Sequence, residues 1–332
     1  MPNPGALRFN TDSLKMELFD GNQWVELVAT SADSQTGGAR GVLGGGASAP
    51  GAGVNTIEYI NIASTGNAID FGDLTNSRSN PSPAASSTRG IFAGGYNPTP
   101  APATRLTTID KVTISSTGNA SSFGSLSGGR NSAMGCSNST RGLFAGGYAP
   151  TRINVIEYVT IASDGNPIDF GDLTRSTRGH GGCSSSTRGI FGGGSDSPGM
   201  SNTIDFVTIS TIGNAADFGD LTSTRPPGAC SNAIRGVFAG GVTPGIINTI
   251  DYITMATLGN AIDFGDLSQN VANKQGCSSS TRGVFVAGTL GPANTNVIEY
   301  VTIMSTGNAI DFGDISASLE AVGCLSNAHG GL

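Results

Sequence analysis

Short apolar segments alternate with small and polar residues along most of the chain, and each segment spans only a few residues. The segments are rich in Val, Ile, Thr, Tyr and Phe, and Gly, Asn, Ser or Pro bounds them, which is typical of strands and turns. No window carries the sustained period of 3.6 residues that an amphipathic helix needs. The pattern therefore predicts an all-β protein built from short antiparallel strands.

Four sequence blocks recur in a fixed order, and we name them a to d. Block a is Gly-Cys-Ser, block b is Arg-Gly followed by apolar residues and Gly, block c is Ile-Glu/Asp-Tyr, and block d is Asp-Phe-Gly-Asp. Block b begins at Arg40, Arg89, Arg141, Arg188, Arg235 and Arg282. The spacings between these starts are 49, 52, 47, 47 and 47 residues. Four strands in a repeat of this length are typical of a propeller blade.

The numbers of blocks predict how the repeats close on themselves. Blocks b, c and d each occur six times, whereas block a occurs five times between repeats and once more at 323–327. The chain therefore enters at strand b of the first repeat, and its C-terminal strand supplies the missing strand a, which removes aggregation-prone edges. The predicted fold is an all-β, six-bladed propeller over residues 40–332.

The repeats resemble kelch repeats, in which one strand ends in paired glycines and aromatic residues follow on the next two strands. The glycine pairs of this chain are Gly94-Gly95, Gly146-Gly147, Gly193-Gly194 and Gly240-Gly241. The chain departs from the kelch pattern where the Trp of the outer strand is replaced by the Phe of Asp-Phe-Gly-Asp. The resemblance implies a kelch-like propeller and, as one functional expectation, a scaffold that binds proteins.

Residues 1–30 lie outside the repeats, and we expect a small β-meander there, followed by a linker over 31–39. Asp20-Gly21-Asn22 is a tight-turn signal between two alternating segments. Arg8-Phe9-Asn10-Thr11 and the segment from Phe19 to Trp24, Phe-Asp-Gly-Asn-Gln-Trp, resemble a module of bacteriophage tail-fibre and other virion structural proteins. Thirty residues bury too little surface to be stable alone, so we expect the module to associate with other chains.

Composition narrows the functional classes. The chain has 51 Gly among 332 residues, only 12% charged residues and a net charge of −7. An acidic chain is a poor general binder of nucleic acid, so no nucleic-acid partner is expected. No apolar run approaches the length of a membrane-spanning helix, and no secretory signal is visible at the start.

The five cysteines follow the repeat. Cys136, Cys183, Cys230, Cys277 and Cys324 are each 47 residues apart, one in each block a. Equivalent positions of neighbouring repeats are too far apart for disulfides, and no His lies at zinc-ligand spacing. We therefore predict five buried free thiols that face the core, and no metal site.

The acidic residues also follow the repeat. Acids three apart in block d could act as calcium ligands or acid–base pairs, but their recurrence in five repeats favours turn capping and edge hydrogen bonds. Block c carries one acid in every repeat, and an Arg precedes every strand b. We expect these two to form a ring of partly buried, structural ion pairs.

The sequence provides little support for catalysis. Only two histidines are present, His180 and His329, and neither lies near a nucleophile, phosphate-loop or metalloprotease motif. The interpretation is that the protein is not an enzyme, with no catalytic residues and no cofactor.

One face of the predicted propeller varies between repeats. Its loops, b–c and d–a, differ in length and composition, whereas the a–b and c–d turns barely change. Such variation is expected where the sequence of a scaffold is unconstrained or where the scaffold binds a ligand. These loops hold eight basic residues and two acidic ones, which predicts a basic rim. The candidate ligand-binding residues on this face are Tyr96, Arg105, Arg130, Tyr148 and Arg152.

These features together give one preferred function and two alternatives. The preferred hypothesis is a phage tail fibre or spike subunit, located in the virion, whose propeller binds an anionic host-surface glycan. Its N-terminal module, with Phe9, Phe19 and Trp24 as contact residues, would bind other virion proteins and, as the resemblance implies, form a homotrimer. The alternatives are a capsid decoration or head-fibre protein without a receptor role, and a kelch-like protein-binding scaffold.

Overall fold

The chain is all-β, and its strands form many small antiparallel sheets. A computed structural model describes residues 2–3, 5–10, 15–26, 39–48, 51–98 and 102–332. The described residues contain no helix, and therefore none that is long and apolar enough to cross a membrane. The chain divides into two compact units, Met1–Thr36 and Gly37–Leu332.

The first unit is a three-stranded antiparallel meander, as predicted. Its strands are β1 (Leu7–Asn10), β2 (Lys15–Phe19) and β3 (Trp24–Glu26), in that order across the sheet. The carboxylate of Asp20 accepts hydrogen bonds from the backbone N–H groups of Asn22 and Gln23, both at 2.8 Å. These bonds lower the pKa of Asp20 and fix the turn between β2 and β3.

The described part of the second unit contains six large sheets, each with the strands a, b, c and d in spatial order, and two two-stranded sheets. Sheet 1 consists of β32 (Gly323–Ser326), β4 (Arg40–Gly44), β6 (Ala52–Asn61) and β7 (Ile69–Arg78), and sheet 2 of β8 (Ser82–Ala85), β9 (Arg89–Ala93), β12 (Thr108–Thr113) and β13 (Ser121–Ser125). Sheet 3 consists of β14 (Met134–Ser137), β15 (Arg141–Ala145), β18 (Val155–Thr160) and β19 (Ile168–Asp172), and sheet 4 of β20 (Gly181–Ser184), β21 (Arg188–Ser195), β22 (Met200–Thr208) and β23 (Ala216–Asp220). Sheet 5 consists of β24 (Gly228–Ser231), β25 (Arg235–Thr243), β26 (Gly245–Thr254) and β27 (Ile262–Asp266), and sheet 6 of β28 (Gln275–Ser278), β29 (Arg282–Val286), β30 (Thr295–Thr302) and β31 (Ile310–Leu319).

Five two-residue strands lie in the b–c loops. They are β5 (Ala47–Ser48), β10 (Tyr96–Asn97), β11 (Thr104–Arg105), β16 (Tyr148–Ala149) and β17 (Thr151–Arg152). β10 pairs with β11, and β16 pairs with β17, so each of these two loops is a small hairpin. In the described parts of these two loops, paired strands therefore position Tyr96, Arg105, Tyr148 and Arg152.

The C-terminal strand completes sheet 1, as the block order predicts. β32 pairs antiparallel with β4, with Ser326 opposite Gly41 and Leu325 opposite Val42. In sheet 3 the residue opposite the equivalent Leu143 is Cys136. Leu325, and not Cys324, therefore occupies the position of the repeated cysteine.

The prediction that all five cysteines share one position is thus wrong for Cys324. A shift of one residue along a strand turns a side chain to the opposite face of the sheet. Ser326 follows its counterpart Ser278 by 48 residues, one more than the cysteine spacing. All five cysteines are nevertheless free and buried, as predicted, and burial raises the pKa of Cys183 and Cys277 to about 12.

Small residues allow neighbouring sheets to approach each other at the inner strands. A Cβ atom on Gly189 of sheet 4 would lie 2.7 Å from the Sγ atom of Cys136 in sheet 3. The same contact joins Gly236 to Cys183, at 2.9 Å. The glycine of block b and the cysteine of block a therefore recur together because they pack against each other across the sheets.

The outer strand of each sheet is hydrogen-bonded to the c–d turn of the next sheet. The backbone N–H of Asp172 donates to Oδ1 of Asn214, and Gly213 N donates to the carbonyl of Phe170. The same pair of bonds joins sheet 6 to sheet 1 through Asp314 and Asn67, and through Gly66 and Phe312.

Inner strands carry a second set of bonds between neighbouring sheets. In five of the six strands a, a Ser hydroxyl donates to a carbonyl of the preceding strand a, as from Ser184 to Ser137 at 2.7 Å and from Ser231 to Ser184 at 2.8 Å. The set continues from Ser278 to Ser231 and from Ser326 to Ser278. Both sets of bonds follow the order of the repeats.

Candidate functional site

The two kinds of variable loop lie side by side. In five of the six sheets, a single β-bridge joins the b–c loop of the sheet to the d–a loop that precedes the sheet in the chain. These bridges are Ser79 to Tyr96, Asn131 to Tyr148, Arg178 to Ser195, Ala272 to Thr289, and Ala47 to Glu320. Residues of both loop types can therefore contribute to one surface, and we call this surface the variable surface.

Four of the five candidate residues follow one another along the variable surface. Tyr96 is opposite Arg105 in the first hairpin, and Tyr148 is opposite Arg152 in the second. The guanidinium carbon of Arg105 lies 4.6 Å from the centre of the Tyr148 ring, which links the two hairpins. Arg152 donates to the carbonyl and hydroxyl of Ser195, at 2.8 and 3.0 Å, which links the second hairpin to sheet 4.

Arg178 is a further member of this group, and sequence reasoning did not select it as a candidate. Its guanidinium carbon lies 4.9 Å from the Tyr148 ring centre. Arg178 and the four candidates are half-buried. The Tyr148 ring thus contacts two guanidinium groups at cation–π distance. We call Tyr96, Arg105, Tyr148, Arg152 and Arg178 the Tyr148 cluster.

Arg130 does not belong to the Tyr148 cluster. Its side chain is 3% exposed and forms an ion pair with Glu157 of strand c. The desolvation caused by burial lowers the pKa of Arg130, and the Glu157 charge acts in the opposite direction. Arg130 is therefore a structural residue that no ligand on the variable surface can reach.

The same correction applies to most of the predicted basic rim. Arg78 pairs with Asp110 at 2.9 Å, Arg225 with Asp251 at 2.8 Å, and Lys274 with Glu299 at 2.9 Å. All six of these side chains are almost fully buried. Arg175 lies 2.9 Å from Asp196 and 3.4 Å from Asp205. The variable surface is therefore less basic than the sequence indicates.

Five of the six block-c acids lie in ion pairs, but their predicted partner is wrong. The partners come from the d–a loops and not from the Arg of block b. That Arg instead lies over the block-c ring, as Arg235 does over Tyr252 at 4.4 Å. It also donates to a backbone carbonyl of the next sheet, as from Arg235 in sheet 5 to Ile303 in sheet 6 at 3.1 Å. The two Arg sets thus have separate structural roles.

The block-d acids lie at the outer edge of the sheets, where their backbone N–H groups bind the next repeat. Within the described ranges, no group of three or more His, Cys, Asp or Glu side chains is placed to hold a metal ion. The calcium role considered above therefore has no observation that favours it.

His180 is fully buried and His329 is half-buried. Desolvation lowers the pKa of His180 to about 3, with Arg175 adding to the effect, and lowers that of His329 to about 4. Nε2 of His329 lies 3.1 Å from the carbonyl oxygen of Ala85, and Nδ1 accepts a hydrogen bond from Gly331 N. Both imidazoles are therefore neutral at pH 7 and packed within the protein.

The candidate attachment residues lie in the N-terminal meander. Phe19 is only 6% exposed, and its ring centre lies 5.4 Å from that of Trp24. Arg8 lies over the Trp24 ring at 4.2 Å and pairs with Glu17 at 2.7 Å. The side chain of Phe9 and most of the predicted linker, 31–38, lie outside the described residues.

Comparison with known proteins adds no relative. No model of a protein family and no curated protein matches the chain.

Proposed function

We propose that the six sheets of residues 37–332 are the blades of a closed, kelch-like β-propeller. Two observations support this proposal: the C-terminal strand lies in the same sheet as β4, and sheet 6 binds sheet 1 as every other sheet binds its successor. In such a ring no sheet has an unprotected outer edge, because each strand d is covered by the following turn.

On this scaffold we propose the function of a phage virion protein, a tail fibre or spike subunit that binds a host-surface glycan. The support at the N-terminus is the motif pair around Arg8 and Trp24, which forms a compact meander of its own. This meander would bind other virion proteins and hold three copies of the chain together. The role is one of binding and not of catalysis.

The observation that carries the ligand proposal is the Tyr148 cluster. It lies on the variable loops, and three of its members, Arg105, Arg152 and Arg178, remain half-exposed, whereas Arg78, Arg130, Arg225 and Lys274 are buried and Arg175 is paired with acids. Stacking against Tyr148 fixes the plane of Arg105 and Arg178 and leaves guanidinium edges to bind carboxylate or sulfate groups in a bidentate manner. The ligand class is therefore an acidic glycan, held by arginine more than by tyrosine stacking.

The double substitution Arg105→Gln with Arg178→Gln tests this proposal. We expect a loss of adsorption to host cells, or to isolated acidic envelope glycan, of about tenfold or more, because two charge-assisted contacts are removed. Lys111→Gln is a suitable control, since Lys111 pairs with Asp164 in a c–d turn and lies outside the cluster. Unchanged adsorption by the folded double variant would contradict the ligand proposal.

A capsid decoration or head-fibre role is the second candidate. The contacts of Arg105 and Arg178 with the Tyr148 ring favour this role, because they are also what a ring with a purely structural function in the loops would make. In this case the double variant adsorbs normally but unfolds more easily. A kelch-like scaffold is the third candidate, and it requires a protein partner at the same loops.

A further inference from the structure

Five of the six sheets contain the same buried ion pair, and the sixth does not. The block-c acids Asp110, Glu157, Asp205, Asp251 and Glu299 each lie beside an Arg or Lys of the preceding d–a loop. The sixth acid, Glu58 of sheet 1, is only 6% exposed. Among the described residues, its one hydrogen bond comes from the backbone N–H of Ser316, at 3.1 Å, and no cation lies beside it.

The missing cation has a defined place in the chain. Ser316 binds Glu58 as Thr75 binds Asp110, and Arg78 stands three residues after Thr75. The residue three positions after Ser316 is Leu319, which is apolar and buried. The d–a loop from sheet 6 to sheet 1 contains no Arg or Lys. Segments 27–38 and 49–50, which flank β4 in sequence, contain none either.

A cavity of about 50 Å³ lies next to Glu58. Gly45, Thr56, Glu58, Ser316 and Leu319 are among its lining residues. A cavity needs roughly 10 to 15 Å³ to hold one water molecule, so this one has room for a small polar group.

The acceptors around this cavity match those that hold Arg78 in sheet 2. The guanidinium of Arg78 donates to the carbonyls of Gly94 and Thr108, to the hydroxyl of Thr108 and to Asp110, at 2.9 to 3.1 Å. By position in the repeat, Gly94, Thr108 and Asp110 correspond to Gly45, Thr56 and Glu58. Sheet 1 therefore has the same set of acceptors, including the carboxylate.

We propose that this cavity is a binding site for an organic cation, a guanidinium or primary ammonium group, held by Glu58, Thr56 and Gly45. A buried carboxylate without a counter-charge is unfavourable, and a bound cation removes that cost. The same cation could be a free small molecule or an Arg or Lys side chain of another protein, since Thr56 is only half-buried and leaves a way in from the surface. The site does not depend on the glycan-binding proposal.

Thermal unfolding in the presence of methylguanidinium tests the site on the full chain. We expect a saturable rise in Tm of about 3 °C or more for the wild type, because a ligand that binds only the folded state stabilises it. Glu58→Gln should abolish this response without lowering the Tm. Leu319→Met, which keeps the site open and uncharged, should retain the response.

Leu319→Arg is the decisive variant, because it places a cation at the position that Arg78, Arg130 and Arg225 hold in three other sheets. We expect a higher Tm than the wild type and no response to methylguanidinium, since the new side chain occupies the cavity. An equal response of the wild type and of Glu58→Gln would overturn the proposal, and this comparison holds even if Leu319→Arg fails to fold.

A second arm distinguishes the two sources of the cation. Acetyl-Ala-Arg-Ala-amide presents the guanidinium group on a peptide, whereas methylguanidinium presents it alone. A rise in Tm at lower concentration of the peptide supports a partner side chain, and a response to methylguanidinium alone supports a free small molecule. A response to neither would overturn the site.

Discussion

At the scale of single residues, the buried ion pairs determine most of what the charged side chains do. Sequence reasoning found that block c carries an acid in every repeat, but it chose the wrong arginine as the partner. Two sets of basic residues recur, the Arg of block b in all six repeats and an Arg or Lys of the d–a loop in five, and the repeat alone does not say which one points inward. Burial separates them: Arg225 is fully buried beside Asp251, whereas Arg235 covers Tyr252.

We predict that Arg225→Leu destabilises the protein by about 3 to 5 kcal/mol, because Asp251 is then left as an uncompensated buried charge. Urea unfolding measures the change. Arg178→Gln is the matched control, since Arg178 is half-buried and has no acidic partner among the ion pairs of the described residues, and it should change the stability by less than about 1 kcal/mol. Similar losses in the two variants would contradict the assigned roles.

The buried His180 should make stability depend on pH. Its pKa is about 3 in the folded state against an ordinary value of 6.5, so between these values the unfolded chain binds a proton that the folded chain does not. Folded-state stability therefore falls as the pH drops below 6.5, by about 1.4 kcal/mol per pH unit from this group. Between pH 7 and pH 5, the free energy of unfolding of His180→Leu should fall by about 2 kcal/mol less than that of the wild type. Urea unfolding at the two pH values measures this difference. Parallel losses would show that His180 does not contribute.

At the scale of elements, the strand and turn pattern was predictable, whereas the contacts between repeats were not. Strand order follows from alternating apolar segments and turn residues, which are local signals. The reason for glycine in block d is a contact with the next repeat, which lies more than 40 residues away: a Cβ on Gly124 would lie 2.2 Å from the carbonyl oxygen of Gly165. The shifted register of Cys324 had a signal, the 48-residue spacing of Ser278 and Ser326, that the cysteine spacing concealed.

We predict that Gly124→Ala destabilises the protein by about 1 to 3 kcal/mol, because the methyl group forces two repeats apart. Gly128→Ala is the control, since a Cβ there meets nothing within 4 Å and neither glycine has a positive φ. Denaturant unfolding of the two variants gives the comparison. Equal stability would mean that the joint between strand d and the next turn is not tightly packed.

At the scale of the whole molecule, the N-terminal meander and the six sheets belong to separate compact units. The order of the repeats and the role of the C-terminal strand could be predicted by counting blocks, because each block is one strand. The residues of the Tyr148 cluster, which we propose bind the ligand, could be predicted only in part. Arg105, Tyr148 and their neighbours come together because their hairpins are adjacent, but Arg178 enters from another loop, and only its position in space reveals it.

The meander is expected to set the number of copies in the assembly. We predict that the full chain is a trimer by light scattering and that residues 37–332 alone are a folded monomer, because the meander buries too little surface to be stable by itself. Circular dichroism checks that the shortened chain keeps its strands. A monomeric full chain, or a trimer without residues 1–36, would contradict this role.

The function itself is tested most directly by finding where the protein lies in a phage particle. Electron microscopy of particles, with gold-labelled antibodies against residues 37–332, measures this position. The account predicts label on the tail fibres or spikes. Label on the capsid would contradict the host-attachment role and favour decoration, and particles without label would contradict a virion protein altogether.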